Sequence, residues 1–321
     1  MISVVIPVYN KAHTLNKTLK SVMAQNFKNF EVILVNDGST DNSEQVINKY
    51  MLDSRFKIIC QTNQGVSIAR NRGVLESKYE YIAFLDGDDE WFSDYLERMV
   101  ETIEKFPDFV MYNCAGIVVN ADKTKFVRLN SQYKNKISEI DFFKNPGVYL
   151  HTSATIVKKS IFNKIGGFPK GMKRNQDLAL FYSMAFYGSV AYCGSPLSIY
   201  NGGVDGQATQ TAFHSVVNHV VKRYNFVHKQ WVTSKSINRD YIIFTKYEYR
   251  HILISCLRKS DYVSIKTLYE NTNSDLLKLF NYFEKRLIKN GKYRKLSIFY
   301  ILCTKVIWLL RGYPRANWGV L

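Results

Sequence analysis

A chain of 321 residues, 46% hydrophobic and 14% aromatic, holds enough apolar material for a large core, built as one domain with an appendage or as two domains. Its five cysteines (Cys60, Cys114, Cys193, Cys256, Cys303) are scattered and form no CxxC pair, which argues against a zinc site or disulfide framework and fits a reduced, cytoplasmic compartment. The formal charge of +17 is uneven: residues 213–321 carry 20 Lys and Arg against 6 Asp and Glu, whereas the first 212 residues carry 24 against 21. The basic excess therefore belongs to the last third and implies an anionic partner there.

In chain order, the apolar run Ile2–Ile6, stopped by Pro7, reads as a first strand and not as a secretory leader, because it lacks a basic flank. Leu15, Leu19, Val22 and Met23 recur at helical spacing. Glu31–Val35 is a second strand, closed by the turn and cap formers Asn36, Asp37, Gly38, Ser39, Thr40 and Asp41. Phe56–Cys60 is a third strand, 66–76 a helix, and Tyr81–Leu85 a fourth strand that ends in Asp86, Gly87, Asp88 and Asp89. Strand and helix alternating at this spacing predict an α/β layer with a mostly parallel sheet. Ligands of such sheets bind outside the carboxyl ends of the strands, so Tyr9–Asn10, Asn36–Gly38 and Asp86–Asp89 are expected along one edge. Beyond residue 107 the pattern predicts a long strand over 109–119, polar loop over 120–137, and an apolar helix over 178–187. Gly202, Gly203 and Gly206 mark a loop, and from 213 the chain reads as helical, aromatic and basic. The expected division is 1–212 and 213–321.

Asp86, Asp88 and Asp89 are three carboxylates in four residues after an apolar strand. They repel one another, and a divalent cation, Mn²⁺ or Mg²⁺, relieves the conflict through hard oxygen ligands shared with a substrate phosphate. A solvated, helix-capping turn accounts for an isolated cluster equally well, and capping also explains Ser39 to Asp41. No GxGxxG follows the first strand, which argues strongly against a nicotinamide-dependent dehydrogenase.

Taken together, Val5–Asn10, Val35–Asp41, Asn63–Asn71 and Phe84–Trp91 resemble the family 2 glycosyltransferases of the GT-A fold, in the family's order and spacing. A fifth stretch, Gly166–Phe168 with Asn175–Asp177, extends the resemblance to about residue 200. It implies an α/β nucleotide-sugar-binding fold with a helical, basic C-terminal region. Pro7, Val8, Tyr9, Asn10 and Gly87 are then expected to line the nucleotide-sugar pocket, with Asp37 on the base, Arg70 close to it and Asp86 near the ribose. Asp88 aligns with the metal-binding aspartate and Asp177 with the catalytic base. Two positions depart from the pattern. Gln176 stands where the family usually has Glu, and no histidine follows Tyr200, leaving Asn201, Asp205 or water as the second metal ligand.

The chemistry so implied is inversion at an anomeric carbon: the cation neutralises the leaving diphosphate while Asp177 takes the acceptor's proton. The expected donor is a nucleotide-sugar, namely a UDP-sugar, and the expected acceptor a lipid-linked saccharide of bacterial surface-polysaccharide assembly. The Gln176 and histidine departures also allow a catalytically lapsed scaffold, and the basic C-terminal region a nucleic-acid-binding module; the latter leaves the acidic strand end unexplained, so no nucleic-acid partner is expected. Residues 296–310 form an apolar run too short to span a bilayer and interrupted by Lys305, with Lys285, Arg286, Lys289, Lys292, Arg294, Lys295, Arg311 and Arg315 around it. It reads as a helix lying in the membrane interface, inserting Phe299, Ile301, Trp308 and Leu309, or alternatively as a buried core helix. The first reading places the protein peripherally at the inner face of the cytoplasmic membrane.

Overall fold

The computed structural model describes residues 1–129, 131–144, 150–204, 213–290 and 294–310. Contacts divide the chain into two units, Met1–Ile140 with Val148–Gln207, and Asp141–Gly147 with Ala208–Leu321.

The first unit is a mixed sheet between helices. Its opening strands, β1 (Ile2–Val8), β2 (Phe30–Asp37), β3 (Phe56–Gln61) and β4 (Tyr81–Phe84), are parallel and lie side by side as β3-β2-β1-β4. Every residue of β1 is buried, as a continuous apolar run covered on both faces requires. Helix α1 (Ala12–Met23) turns Leu15, Leu19 and Val22 onto the sheet at helical spacing. After α2 (Ser43–Asn48), α3 (Val66–Leu75) approaches β1 so closely that a Cβ on Gly73 would lie 2.3 Å from Val5 Cγ1.

The sheet continues through β5 (Glu90–Trp91), β6 (Met111–Val119), β7 (Lys125–Arg128), β8 (Ile137–Ile140), β9 (Thr155–Lys158) and β10 (Val190–Asn201). Strand β9 runs antiparallel between β4 and β6, and β10 pairs parallel with β6 and antiparallel with β5 and β8. The segment expected as plain loop over 120–137 thus contains β7, which hairpins onto β6 through a turn at Asn120–Thr124. Helices α4 (Tyr95–Lys105), α5 (Lys159–Ile165) and α6 (Gln176–Met184) complete the unit.

The second unit is helical: α7 (Phe213–Ser234), α8 (Arg239–Arg258), α9 (Tyr262–Asn271), α10 (Ser274–Lys278), α11 (Tyr282–Asn290) and α12 (Arg294–Leu310). Its core gathers Val217, Val220, Tyr249, Leu253, Leu257, Leu268, Phe280 and Ile301. Asn238, Asp261 and Asn273 cap α8, α9 and α10 by accepting from first-turn amides. A buried ion pair joins α7 to α8, Arg223 Nη2 to Glu248 Oε2 at 3.1 Å. Phe143, from the middle of the chain, belongs here too, with its ring against Tyr241 and Phe244. One expectation for α12 is corrected: Ile301 and Trp308 are buried within this unit, whereas Phe299 and Leu309 are exposed. Arg311 and Arg315 lie outside the described residues.

Candidate active site at the strand ends

The parallel register sets the carboxyl ends of β1, β2 and β4 along one edge, and the polar residues after them interlock. Asn10, held at φ 51°, donates its N–H to Ser39 Oγ (3.1 Å) and accepts from Thr40 N–H at Oδ1 (2.8 Å), tying the end of β1 to the loop after β2. Asp37 accepts from the N–H groups of Gln64 (2.9 Å) and Gly65 (2.8 Å) and from Gln61 Nε2 (2.7 Å), so it fixes the entry to α3. Val8 is in the hydrophobic core and Pro7 is buried, leaving Tyr9 as the exposed side chain of that stretch. Gly87 sits against them: a Cβ there would lie 3.5 Å from the Pro7 carbonyl oxygen.

Arg70 projects from α3 onto this edge and is 3% exposed. Its Nη2 donates to Asp86 Oδ1 at 2.5 Å, and its guanidinium lies over the Phe168 ring, 5.1 Å from the centroid. Phe168 is fixed by α3 in turn, because Asn71 Nδ2 donates to its carbonyl and Asn71 Oδ1 accepts its N–H, both at 2.9 Å. Burial acts to raise the Asp86 carboxyl, but the Arg70 charge and hydrogen bond, aided by His151 and Lys11, hold it below the usual carboxylate range. Arg70 Nε and Nη1 are buried with no hydrogen-bond partner among the described residues.

Asp88 receives the ammonium of Lys11 at 2.7 Å. Asp89 is buried and braced: its carboxylate accepts from Ser153 Oγ (2.6 Å) and from Asn201 N–H (3.1 Å). Burial, then the charges of Asp88 and Asp86, push its pKa well above the ordinary range. Asn201 spends its side chain on the loop, donating Nδ2 to the Asp88 carbonyl (2.8 Å) and to Glu90 Oε1 (3.0 Å). Asp205 lies outside the described residues. A cavity of about 380 Å³ opens beside Asp88, with His13, Lys17, Glu90, Lys123 and Asn201 on its walls.

His151, which precedes β9, is the histidine that stands beside these carboxylates. Its Nδ1 accepts the Ser153 N–H (3.3 Å), its Nε2 lies 3.7 Å from Asp89 Oδ2, and its ring meets Tyr200 edge-on. Ligand atoms of Asp86, Asp89 and His151 lie within 4.8 Å of one another, a set able to hold a metal ion. Burial lowers the His151 pKa, against the charges of Asp86, Asp177 and Asp88, which favour its protonated form. Asp177 thus belongs to the same electrostatic neighbourhood. It stands at the start of α6, after Asn175 at φ 61°, and accepts the Leu178 N–H at 2.8 Å. Gln176 beside it is buried, with Oε1 unpartnered among the described residues.

The sequence residues brought together are therefore Arg70 with Asp86, Gly87 with Pro7, and Asp86 with Asp89 beside His151, while Asp88 and Asp177 act on that histidine through their charge. Asp37 is joined to the α3 loop, and no direct contact links it to Arg70 among those described. Lys11, His151 and Ser153 were not singled out in the sequence. A lone lysine, histidine or serine carries no pattern, and only the pairing of β9 with β4 shows what Ser153 and His151 face.

Comparison with known proteins bears on the family and the fold. Residues 3–166 match the family model "Glycosyl transferase family 2". An uncharacterized glycosyltransferase of Rickettsia typhi, RT0329, is 27% identical over 233 residues, 71% of this chain and 72% of that protein. The putative glycosyltransferase EpsH of Bacillus subtilis is 36% identical over 139 residues, 43% of this chain and 40% of EpsH. In fold, the chain superposes on residues 1–349 of S. aureus TarS in complex with UDP with a TM-score of 0.68 at 16% identity, covering 97% of this chain and 91% of that one. The same TarS fragment has also been crystallised with UDP-GlcNAc. With the strand-end site on a mostly parallel sheet and the family model spanning its first half, the chain belongs to glycosyl transferase family 2 and has the GT-A fold.

Proposed function

We propose that the protein is an inverting glycosyltransferase that moves a hexosyl or N-acetylhexosaminyl group from a UDP-sugar to a hydroxyl of a lipid-linked saccharide in bacterial surface-polysaccharide assembly. The observation that carries the catalytic part is the gathering of Asp86, Asp89 and His151 at the end of β4, with ligand atoms within 4.8 Å of one another, beside a buried arginine with two donors unpartnered among the described residues. Such convergence of titratable groups at a strand edge suits a reacting centre better than a structural one.

In this reading Asp177 accepts the proton of the acceptor hydroxyl as that oxygen bonds to the anomeric carbon. The bond from that carbon to the diphosphate breaks, and attack from the opposite face gives inversion. Arg70, anchored by Asp86, offers its remaining N–H groups to donor oxygens. Tyr9, the exposed side chain of that stretch, would cover the donor, with Pro7 and Gly87 beneath it and Val8 backing them from the core rather than lining the pocket. The cavity beside Asp88 is of a size to take a sugar unit.

The residues fit a divalent cation. Asp89 is kept above its ordinary pKa by burial first and then by the charges of Asp88 and Asp86, and an imidazole nitrogen lies beside Asp86 and Asp89. Asp86, Asp89 and His151 would hold Mn²⁺ or Mg²⁺, which when bound neutralises the charge of a departing diphosphate; Asp88, the ligand expected from the sequence, stands outside that set. The Lys11 ammonium already supplies one positive charge to Asp88. TarS in complex with UDP and UDP-GlcNAc supports a uridine donor through likeness of fold.

A panel of UDP- and GDP-sugars, scored for thermal stabilisation and nucleotide release with Mn²⁺ and with EDTA, tests the reading. UDP-sugars are expected to stabilise the protein and to be turned over only with the metal. Stabilisation without release across the panel, with every acceptor tried, would assign the fold to a scaffold. A response to RNA or DNA alone would overturn the proposal.

A further inference from the structure

The final helix carries a feature that folding does not account for. Along one stripe of α12, Ser297, Ile301 and Trp308 are buried, with Trp308 stacked on Tyr247 at 4.1 Å. Lys305, between them, approaches His251 Nδ1 at 3.2 Å. Steps of four, four and three residues keep these positions on one side. The opposite side presents Leu296, Phe299, Leu302, Val306, Leu309 and Leu310, each 40% exposed or more. A helix packed on a core through one face ordinarily turns polar residues outward, and a contiguous bare apolar face marks an interaction site.

We propose that this outer face of α12 docks in the plane of a membrane interface, with anionic lipid headgroups as its partner. Spanning is not the mode: α12 is 17 residues, about 25 Å at 1.5 Å per residue, and no described helix is long and apolar enough to cross a membrane. Charge selects lipid over a second copy of the chain. Arg258, Lys259, Arg286, Lys289 and Lys295 are all exposed in this unit, and residues 213–321 hold 20 basic against 6 acidic side chains. Two such surfaces repel each other, while an anionic leaflet attracts them. Lys295 precedes Phe299 by one turn, so a cation borders the apolar face on its own side. Tyr282 and Phe283 are exposed at the start of α11, and Phe283 meets Tyr300 of α12 at 5.3 Å. Aromatic rings beside an apolar face are the groups that settle at headgroup depth. The proposal does not rest on the catalytic reading.

Truncation is a poor test, because α12 also supplies Ile301 and Trp308 to the core. Point changes on the outer face leave that core intact. The full-length protein, with exposed Cys60 changed to Ser, is labelled with an environment-sensitive fluorophore on exposed Cys303, the other cysteines being buried. It is then mixed with vesicles of phosphatidylcholine alone or of phosphatidylcholine with phosphatidylglycerol. Sedimentation with the anionic vesicles, weakened by salt and accompanied by a blue shift of the label, is the expected result. Combining Phe299→Glu with Val306→Glu should weaken partition by about tenfold or more with thermal unfolding unchanged, whereas Leu52→Glu, at an exposed position of the other unit, should not. Undiminished binding of the double variant, or a label that stays in water, overturns the proposal. So does a chain that ignores vesicles and dimerises through these positions, which would give the face to a second copy.

Discussion

At the scale of single residues, the site is a set of charges whose partners are fixed by strand order. Asp86 is held ionised by a buried arginine, Asp88 faces a lysine, and Asp89 is braced by Ser153 and the Asn201 amide. Asp177 is different, since its one described hydrogen bond is to the neighbouring Leu178 N–H. Asp177→Asn is expected to bind a UDP-sugar nearly as the parent does and to lose turnover by about 10²–10⁴-fold, the worth of a positioned general base; donor titration beside a turnover assay separates the two. Lost donor binding with retained turnover would give Asp177 another role. The carboxylates were legible because Asp-Gly-Asp-Asp follows an apolar strand. His151 was not, because its place beside them depends on a strand that arrives some sixty residues later and pairs antiparallel with β4.

At the scale of elements, the contact between α3 and the turn after α5 governs how Arg70 is presented. The Asn71 side chain makes two backbone hydrogen bonds to Phe168, and Gly167, at φ 75°, leaves no room for a Cβ, which would lie 2.6 Å from Asn71 Oδ1. Asn71→Ala strands both Phe168 groups and should cost about 1–3 kcal/mol in chemical denaturation, with weaker donor binding as the ring beneath Arg70 loosens. Between α7 and α8, the Arg223–Glu248 pair is nearly inaccessible to water. Glu248→Ala should cost about 3–5 kcal/mol, by leaving a buried guanidinium without its carboxylate. Strands β1 to β4 and their helices were readable from periodicity, since each is continuous in sequence and buried on a regular face. Strand β7 was not, because all four of its residues are exposed and its pairing with β6, not hydrophobicity, defines it.

At the scale of the molecule, the charge imbalance seen in the sequence recurs as a helical unit with a basic surface and a half-buried histidine, His251. Burial, then Lys305 and Arg258, lower the His251 pKa to about 4. The unfolded chain titrates near 6.5, so between these values it binds more protons than the folded one, and stability must fall as pH drops through that window. His228, also lowered by burial, adds in the same direction. His251→Gln should therefore flatten the loss of denaturation midpoint between about pH 6.5 and about pH 4.5, and an unchanged slope would mean that His251 titrates normally. The parallel sheet and the helical, basic C-terminal region were both evident from strand spacing and composition. The grouping of Asp141–Gly147 with the helices was not, since Phe143 and Lys144 reach Tyr241, Phe244 and Asp240 through tertiary packing alone. That excursion has an evolutionary corollary. A gene fusion or recombination event with one crossover near residue 212 would carry the six helices but abandon the aromatic plug that seats on α8. The helical unit is thus not a transferable cassette, since moving it intact would require the short stretch around Phe143 to travel with it.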